Sequence, residues 1–442
     1  MSKDMIFFNS ILVLILMFVI YNVIFNFGDA KFSFLNLLRH RRRTISTLSA
    51  IILGGCAIFL YGGFINYSFW ILKEQTIRTN IGHVQIYNRT YFETANKNKS
   101  LISDYATLKN KILHNADFSN EISTIAGQLE FTGIISHYES ETSNYFSAQG
   151  VEPLPALKLG AFDKIVFGSD LSRVKHNEVT IGSGLAKTLD SHYGDWLDVM
   201  AVNIAGGQGA ISVKLRGVFE SGIKDYDDVV IKMPLETAQR IMGTDGVSKI
   251  VILLNNDDVT SFVKKMREYI ADQHLPLIVK DWKENSIFYQ QVEGMLSGIY
   301  FFIKLIVALI VVFMIGNSMT MNIVERTREI TTLRAIGLQS SRVTRLFWME
   351  GIYIGIFGAL GSLFFGFTIA AIINISGIAM PPSPGQSVGY TAFIKTNDVE
   401  LIWVTMILPI LTSVVASIIP AYRASRLNIT DAFKFSVMLP TY

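Results

Sequence analysis

Glu325-Arg326-Thr327-Arg328-Glu329-Ile330-Thr331-Thr332-Leu333-Arg334-Ala335-Ile336-Gly337 separates two long apolar runs. Each run is long enough to cross a hydrocarbon core of about 30 Å, which takes roughly 20 residues. A polar, arginine-rich turn strung between two spans reads as a cytoplasmic loop built to touch something soluble. The chain is therefore expected to receive force or a signal from inside the cell.

Composition agrees. Half of the 442 residues are hydrophobic, too many for an ordinary soluble globule of this length. The apolar residues cluster near 5–27, 47–69, 295–321, 347–375 and 399–419. The net charge of +3 gives no sign of a nucleic-acid partner. One cysteine, Cys56, excludes an intrachain disulfide.

Basic residues set the topology. Arg39, Arg41, Arg42 and Arg43 precede the second run, five arginines from Arg326 to Arg345 follow the third, and Arg423, Arg426 and Lys434 follow the fifth. By the positive-inside rule these three segments are cytoplasmic. The expected order is an extra N-terminal transmembrane segment (1–28), a cytoplasmic amphipathic elbow helix (29–46) and a transmembrane helix (47–69). An external α+β domain (70–292) and a second span (293–321) follow. Then come the charged hairpin (322–346), a span (347–375), an external Pro-rich loop (376–398), a last span (399–419) and a cytoplasmic tail (420–442). The first run reads as a retained span with Met1 outside, and a re-entrant or interfacial segment is the alternative.

Within 31–45, Phe34, Leu35, Leu37 and Leu38 stand beside Arg39–Arg43. An apolar face with a cationic end suits a helix lying on the inner leaflet, and a plain stop-transfer flank is the other reading. Gly54, Gly55, Gly62 and Gly63 in one span, and Gly355, Gly358, Gly361 and Gly366 in another, allow close helix approach. Sequence leaves open whether they serve the bundle or a dimer seam. Lys304, within an apolar run, is expected to snorkel to the interface.

The 70–292 stretch alternates as strands at 81–87, 145–153, 197–204, 213–219 and 249–254, with helical patterns at 236–242 and 258–273. That mixture predicts an α+β domain. No catalytic constellation or metal site is predicted. Gly182-Ser183-Gly184-Leu185-Ala186-Lys187-Thr188 fails the phosphate-loop pattern at Ala186 and reads as a turn before a helix. Asp225, Asp227 and Asp228 read as a solvated turn, and the histidines His83, His114, His137, His192 and His274 lack ligand spacing. Pro381, Pro382 and Pro384 stiffen the external loop, which with Gly385 reads as a plain connector or as a lip where an amphiphile leaves the bilayer.

The 325–337 segment closely resembles the ERTREIGxLRAxG signature of the FtsX-like, MacB-type permeases of ABC transporters. The resemblance extends through a GHxQI strand (82–86), an xGVxP segment (149–153), an IGxxLAxxL turn and helix (181–189), a GD turn (194–195), a YDxxxV…PL segment (226–235) and Pro420–Leu427. In pattern it leans toward the lipoprotein-release (LolC/LolE-like) branch. It implies a non-enzymatic transport subunit in a bacterial inner membrane, with the large domain in the periplasm. ATP and Mg would be bound by a separate nucleotide-binding subunit, with no cofactor in this chain. Glu325, Arg326, Arg328, Glu329, Arg334 and Gly337 would couple to that subunit. A second permease copy (homodimer or heterodimer), membrane lipids and a periplasmic carrier or lipoprotein are the other implied partners. Drug or peptide efflux, and regulation of a cell-wall hydrolase without transport, are the alternative functions.

Overall fold

The computed structural model describes residues 27–39, 41–94, 100–159, 163–172, 177–256, 258–381 and 389–426. It forms two units, one drawn from Met1–Ser68, Gly294–Ile378 and Thr391–Tyr442, the other from Phe69–Glu293 and Ala379–Tyr390. The expected first span lies outside the described residues, as do Pro382, Pro384, Gly385 and the tail beyond Arg426.

The first unit is helical: α1 Phe27–Arg39, α2 Arg41–Thr76, α3 Ile287–Glu325, α4 Thr327–Ala335, α5 Ser340–Ser376 and α6 Val399–Ser425. Four of these, α2, α3, α5 and α6, are long and apolar enough to cross a membrane. Helices are the form this sequence must take there, because each backbone N–H and C=O is satisfied within its own segment. At 1.5 Å per residue, the 39 residues of α3 extend about 58 Å, well beyond the hydrocarbon thickness.

The elbow differs from expectation. α1 is described to Arg39, and Arg41, Arg42 and Arg43 belong to α2. These three arginines therefore lie in a spanning helix and not in the elbow. Arg43 is compensated by Glu325, and Arg41 and Arg42 project into solvent. The charged segment is no simple hairpin either: residues 322–325 finish α3, α4 occupies the turn, and α5 begins at Ser340. Likewise Pro420–Ser425 prolong α6 where a tail was expected.

The glycines singled out in α2 and α5 all face side chains of this chain. A Cβ on Gly361 would meet Ile52 Cδ1 at 2.6 Å, and one on Gly358 would collide with Ile51. Bundle packing accounts for them, and α2 and α5 approach closely because these side chains are missing. Lys304 is half-buried, its Nζ 4.4 Å from the centre of the Tyr300 ring.

The second unit is a ten-stranded mixed sheet flanked by short helices. Its strands are β1 Val84–Asn88, β2 Ile122–His137, β3 Thr142–Val151, β4 Lys164–Gly168, β5 Glu178–Gly182, β6 Trp196–Val202, β7 Gln208–Glu220, β8 Val230–Pro234, β9 Lys249–Leu254 and β10 Leu277–Asp281. They run in the order β10-β1-β9-β2-β3-β8-β5-β7-β4, with β6 pairing β2 and β7. One core contains Ile86, Leu129, Ile181, Leu215, Ile252 and Phe262, fully or almost fully buried. The 259–272 helix contributes Phe262, Val263, Met266 and Ile270, the spacing of a single helix face.

Three local readings meet the structure here. Ser183–Leu189 is a helix directly after β5, so the glycine-rich stretch expected to be a turn before a helix is the first part of the helix itself. Asp227 is not solvated: it is 1 % exposed, and its Oδ1 accepts from Ser221 N and Oγ at 2.9 and 2.7 Å. The strand expected from Ile81 begins at Val84, because Ile77–Ile81 stays helical and Gly82 turns the chain at φ +66°.

Candidate coupling site at the charged turn

Arg326 occupies the N-cap position of α4, immediately after α3. Its guanidinium turns inward. Nη1 donates to Glu350 Oε1 at 3.0 Å and Nε to Glu329 Oε2 at 3.3 Å. The guanidinium lies between the rings of Phe32 and Phe347, 5.9 and 5.7 Å from their centres. Glu350 also accepts from Asn36 Nδ2 at 3.2 Å and Asn322 Nδ2 at 3.0 Å. Arg326 is 6 % and Glu350 1 % exposed. One buried carboxylate on α5 therefore gathers donors from α1, α3 and the start of α4. Beneath it, Ile323, Ile330, Val343, Phe347, Ala421 and Ala424 form a small apolar cluster.

Around this centre the remaining charges pair off. Arg43 clasps Glu325 through both carboxylate oxygens, at 2.5 and 3.0 Å. Arg39 reaches Glu329 at 2.9 Å. Burial acts to raise the Glu329 carboxyl, but Arg326 and Arg39 prevail and hold it below the usual range. Asp29, in the first turn of α1, takes Arg342 and Arg345 of α5, each at 2.7 Å.

α1 is amphipathic in an inverted sense. Asp29, Ser33 and Asn36 are buried against the bundle, and Phe32, Leu35 and Leu38 are exposed. An exposed apolar stripe on a helix with a polar buried face is suited to lipid contact.

The expected coupling residues thus separate. Glu325, Arg326 and Glu329 are held by residues of this chain. Arg334 is half-buried. Arg328 and Gly337 are exposed, joined by Ile336, which is 80 % exposed and was not singled out from sequence. Gly337, at φ +106°, closes α4 in the left-handed region, with Leu338 N donating to Leu333 O at 3.0 Å. Of the elbow arginines, Arg39 and Arg43 are paired and Arg41 and Arg42 exposed. Pro381 is exposed, just after α5. Glu350 went unnoticed within an apolar run, although a lone carboxylate in such a run is itself a signal.

Residues 44–269, just over half of the chain, match the MacB-like periplasmic core domain, and residues 301–429 match the FtsX-like permease C-terminal family. The chain belongs to the FtsX-like, MacB-type family of ABC transporter permeases. The permease is 25 % identical over 233 residues to the lipoprotein-releasing system transmembrane protein LolC of Xylella fastidiosa, covering 50 % of this chain and 54 % of that one. It thus spans about half the length of that relative. The match to LolE of Haemophilus influenzae is 22 % identical and covers 87 % of this chain and 92 % of that protein. The crystal structure of the periplasmic region of MacB from Actinobacillus actinomycetemcomitans shares 14 % identity with the permease, with a TM-score of 0.36 over 49 % of this chain and 94 % of that one. Membership makes this a membrane permease with a periplasmic domain, in accord with its four span-length helices.

Proposed function

We propose that this permease is the membrane subunit of a bacterial inner-membrane ABC transporter, driven by a separate ATP-hydrolysing subunit that docks on α4. The reading rests on the Arg326–Glu350 pair. A push on α4 acts directly on a buried charge network shared by α1, α3 and α5. Such a network has few low-energy arrangements, as a two-state transmission element requires. The docking face consists of Arg328, Ile336 and Gly337, with the ion pairs behind it setting its shape. ATP and Mg are bound by the partner subunit, and the long helices α2 and α3 carry the motion toward the periplasmic side.

A second permease copy packs along α3. A Cβ added at Gly294, Gly298 or Gly316 on this helix would meet nothing within 4 Å among the described residues, unlike one on the glycines of α2 and α5. Gly294 and Gly298 make a small-xxx-small pair suited to close helix crossing. The cargo is a lipoprotein, lipid or other amphiphile, in keeping with the relatives named for lipoprotein release. Efflux of drugs or peptides and control of a cell-wall hydrolase are the competing functions. The 376–398 loop serves as the lip.

The deciding experiment is reconstitution with the cognate ATPase subunit. Ile336→Glu is expected to abolish copurification of that subunit and permease-stimulated ATP hydrolysis while membrane insertion persists. Unchanged association and stimulation would sink the docking role.

A further inference from the structure

His137 ends β2, and Asp195 directly precedes β6, whose Leu197 pairs with His137 across the sheet. His137 is 4 % exposed. Its Nδ1 lies 2.8 Å from Ser140 Oγ and 3.2 Å from Leu189 O. Ser140 donates its own hydrogen to Leu189 O at 2.7 Å. With Ser140 turned to Leu189 O, both neighbours of Nδ1 present lone pairs, and the ring hydrogen is assigned to Nδ1 on that basis. That leaves Nε2 as a bare lone pair. It has no hydrogen-bond partner and faces Asp195 Oδ2 at 3.5 Å. The Glu139 carboxylate joins them, with the donor atoms of all three residues within 4.8 Å of one another. In that tautomer three electron-pair donors, two of them anionic, converge, and Asp195 Oδ2 also accepts from His192 N at 2.6 Å. Such an arrangement is repulsive until a metal ion, or a proton on Nε2, enters it.

We propose that His137, Glu139 and Asp195 form a binding site for a divalent transition metal of the zinc class. Zinc bonds of about 2.0–2.2 Å to nitrogen and oxygen place tetrahedral ligand atoms roughly 3.4 Å apart. The Nε2–Oδ2 gap already has that size. The Nδ1–H held by Ser140 and Leu189 is the outer support by which proteins orient a ligating imidazole. An imidazole ligand favours zinc over calcium or magnesium, which take oxygen. With three protein ligands, a fourth position stays open beside the exposed Glu139. The ion would clip the β2–β3 turn to the segment leading into β6. The histidines gave no sign of this, because His137 and Asp195 are far apart in sequence.

The test uses the full chain in detergent without a polyhistidine tag, stripped with EDTA and titrated with zinc chloride in a calorimeter. One zinc per chain is expected, with altered emission from Trp196, which adjoins Asp195 and is 58 % exposed. His137→Gln and Asp195→Asn should each weaken binding by at least about tenfold. Glu139→Gln, at an exposed position, should weaken it while the protein remains folded, and it decides the matter if the buried variants misfold. X-ray absorption should report one nitrogen among oxygen ligands. Absence of saturable zinc binding, equal binding of magnesium or calcium, or zinc binding indifferent to Glu139→Gln would overturn the site and leave a structural contact between His137 and Asp195.

Discussion

Arg326 Nη1 and Glu350 Oε1 lie 3.0 Å apart, joining the charged turn to the first third of an apolar helix. Neither residue is accessible to a partner, so the turn's conformation depends on an internal ion pair. Removing one member strands the other, at a cost of about 3–5 kcal/mol. Glu350→Ala should therefore lower the thermal midpoint of the detergent-purified protein sharply. The double variant Arg326→Met with Glu350→Met should recover much of the loss. Equal destabilisation by the single and double variants would show that the pair is not the source.

Substitutions in the close helix contact should act through shape alone. Gly358→Leu would drive a side chain into Ile51 and is expected to destabilise the protein by about 1–3 kcal/mol. Pairing it with Ile51→Ala should restore part of the loss in the same thermal assay.

The open glycines of α3 make a distinct prediction. Gly298→Leu should leave monomer stability unchanged and reduce the dimer fraction in crosslinking of membranes through a cysteine at position 297. A crosslink yield equal to that of the parent would remove α3 from the interface.

The periplasmic domain should fold alone, because its core uses only residues between Leu72 and Val292. A secreted 70–292 fragment is expected to unfold in one cooperative step. Within it, Lys232 and Asp163 form a buried ion pair, with Lys232 Nζ 4.5 Å from the centre of the Phe219 ring. Burial pushes the Asp163 carboxyl up, with Lys232 acting in the opposite sense. Asp163→Ala should cost about 3–5 kcal/mol in urea unfolding, with the m-value retained.

The first apolar run is expected to be a fifth span with Met1 outside. A cysteine at Ser2, with Cys56 changed to Ala, should react with an impermeant thiol reagent in intact spheroplasts. One at Ser46 should react only after permeabilisation. The reverse pattern would invert the orientation, and protection of both would reduce the count to four spans.

Sequence by itself determined the membrane-spanning character and the α+β nature of the long polar stretch. Hydrophobic length and strand alternation are local properties that survive whatever the chain packs against. The signature at Glu325–Gly337 was enough to indicate the family. Local signals were weaker for β2, where Gly127 and Gly133 interrupt the alternation, and for Arg41, Arg42 and Arg43, which belong to a spanning helix and not to the elbow.

Only the tertiary structure decided which charges are free. Sequence shows Glu325, Arg326, Arg328 and Glu329 as equivalent, but their pairing depends on Arg39, Arg43 and Glu350, brought in from other helices. The same holds for the glycines, whose partners Ile51 and Ile52 belong to another span. It holds too for His137, whose lone pair meets Asp195 only because β2 and β6 are neighbours in the sheet. Contacts between distant segments are set by packing, and no local spacing encodes them.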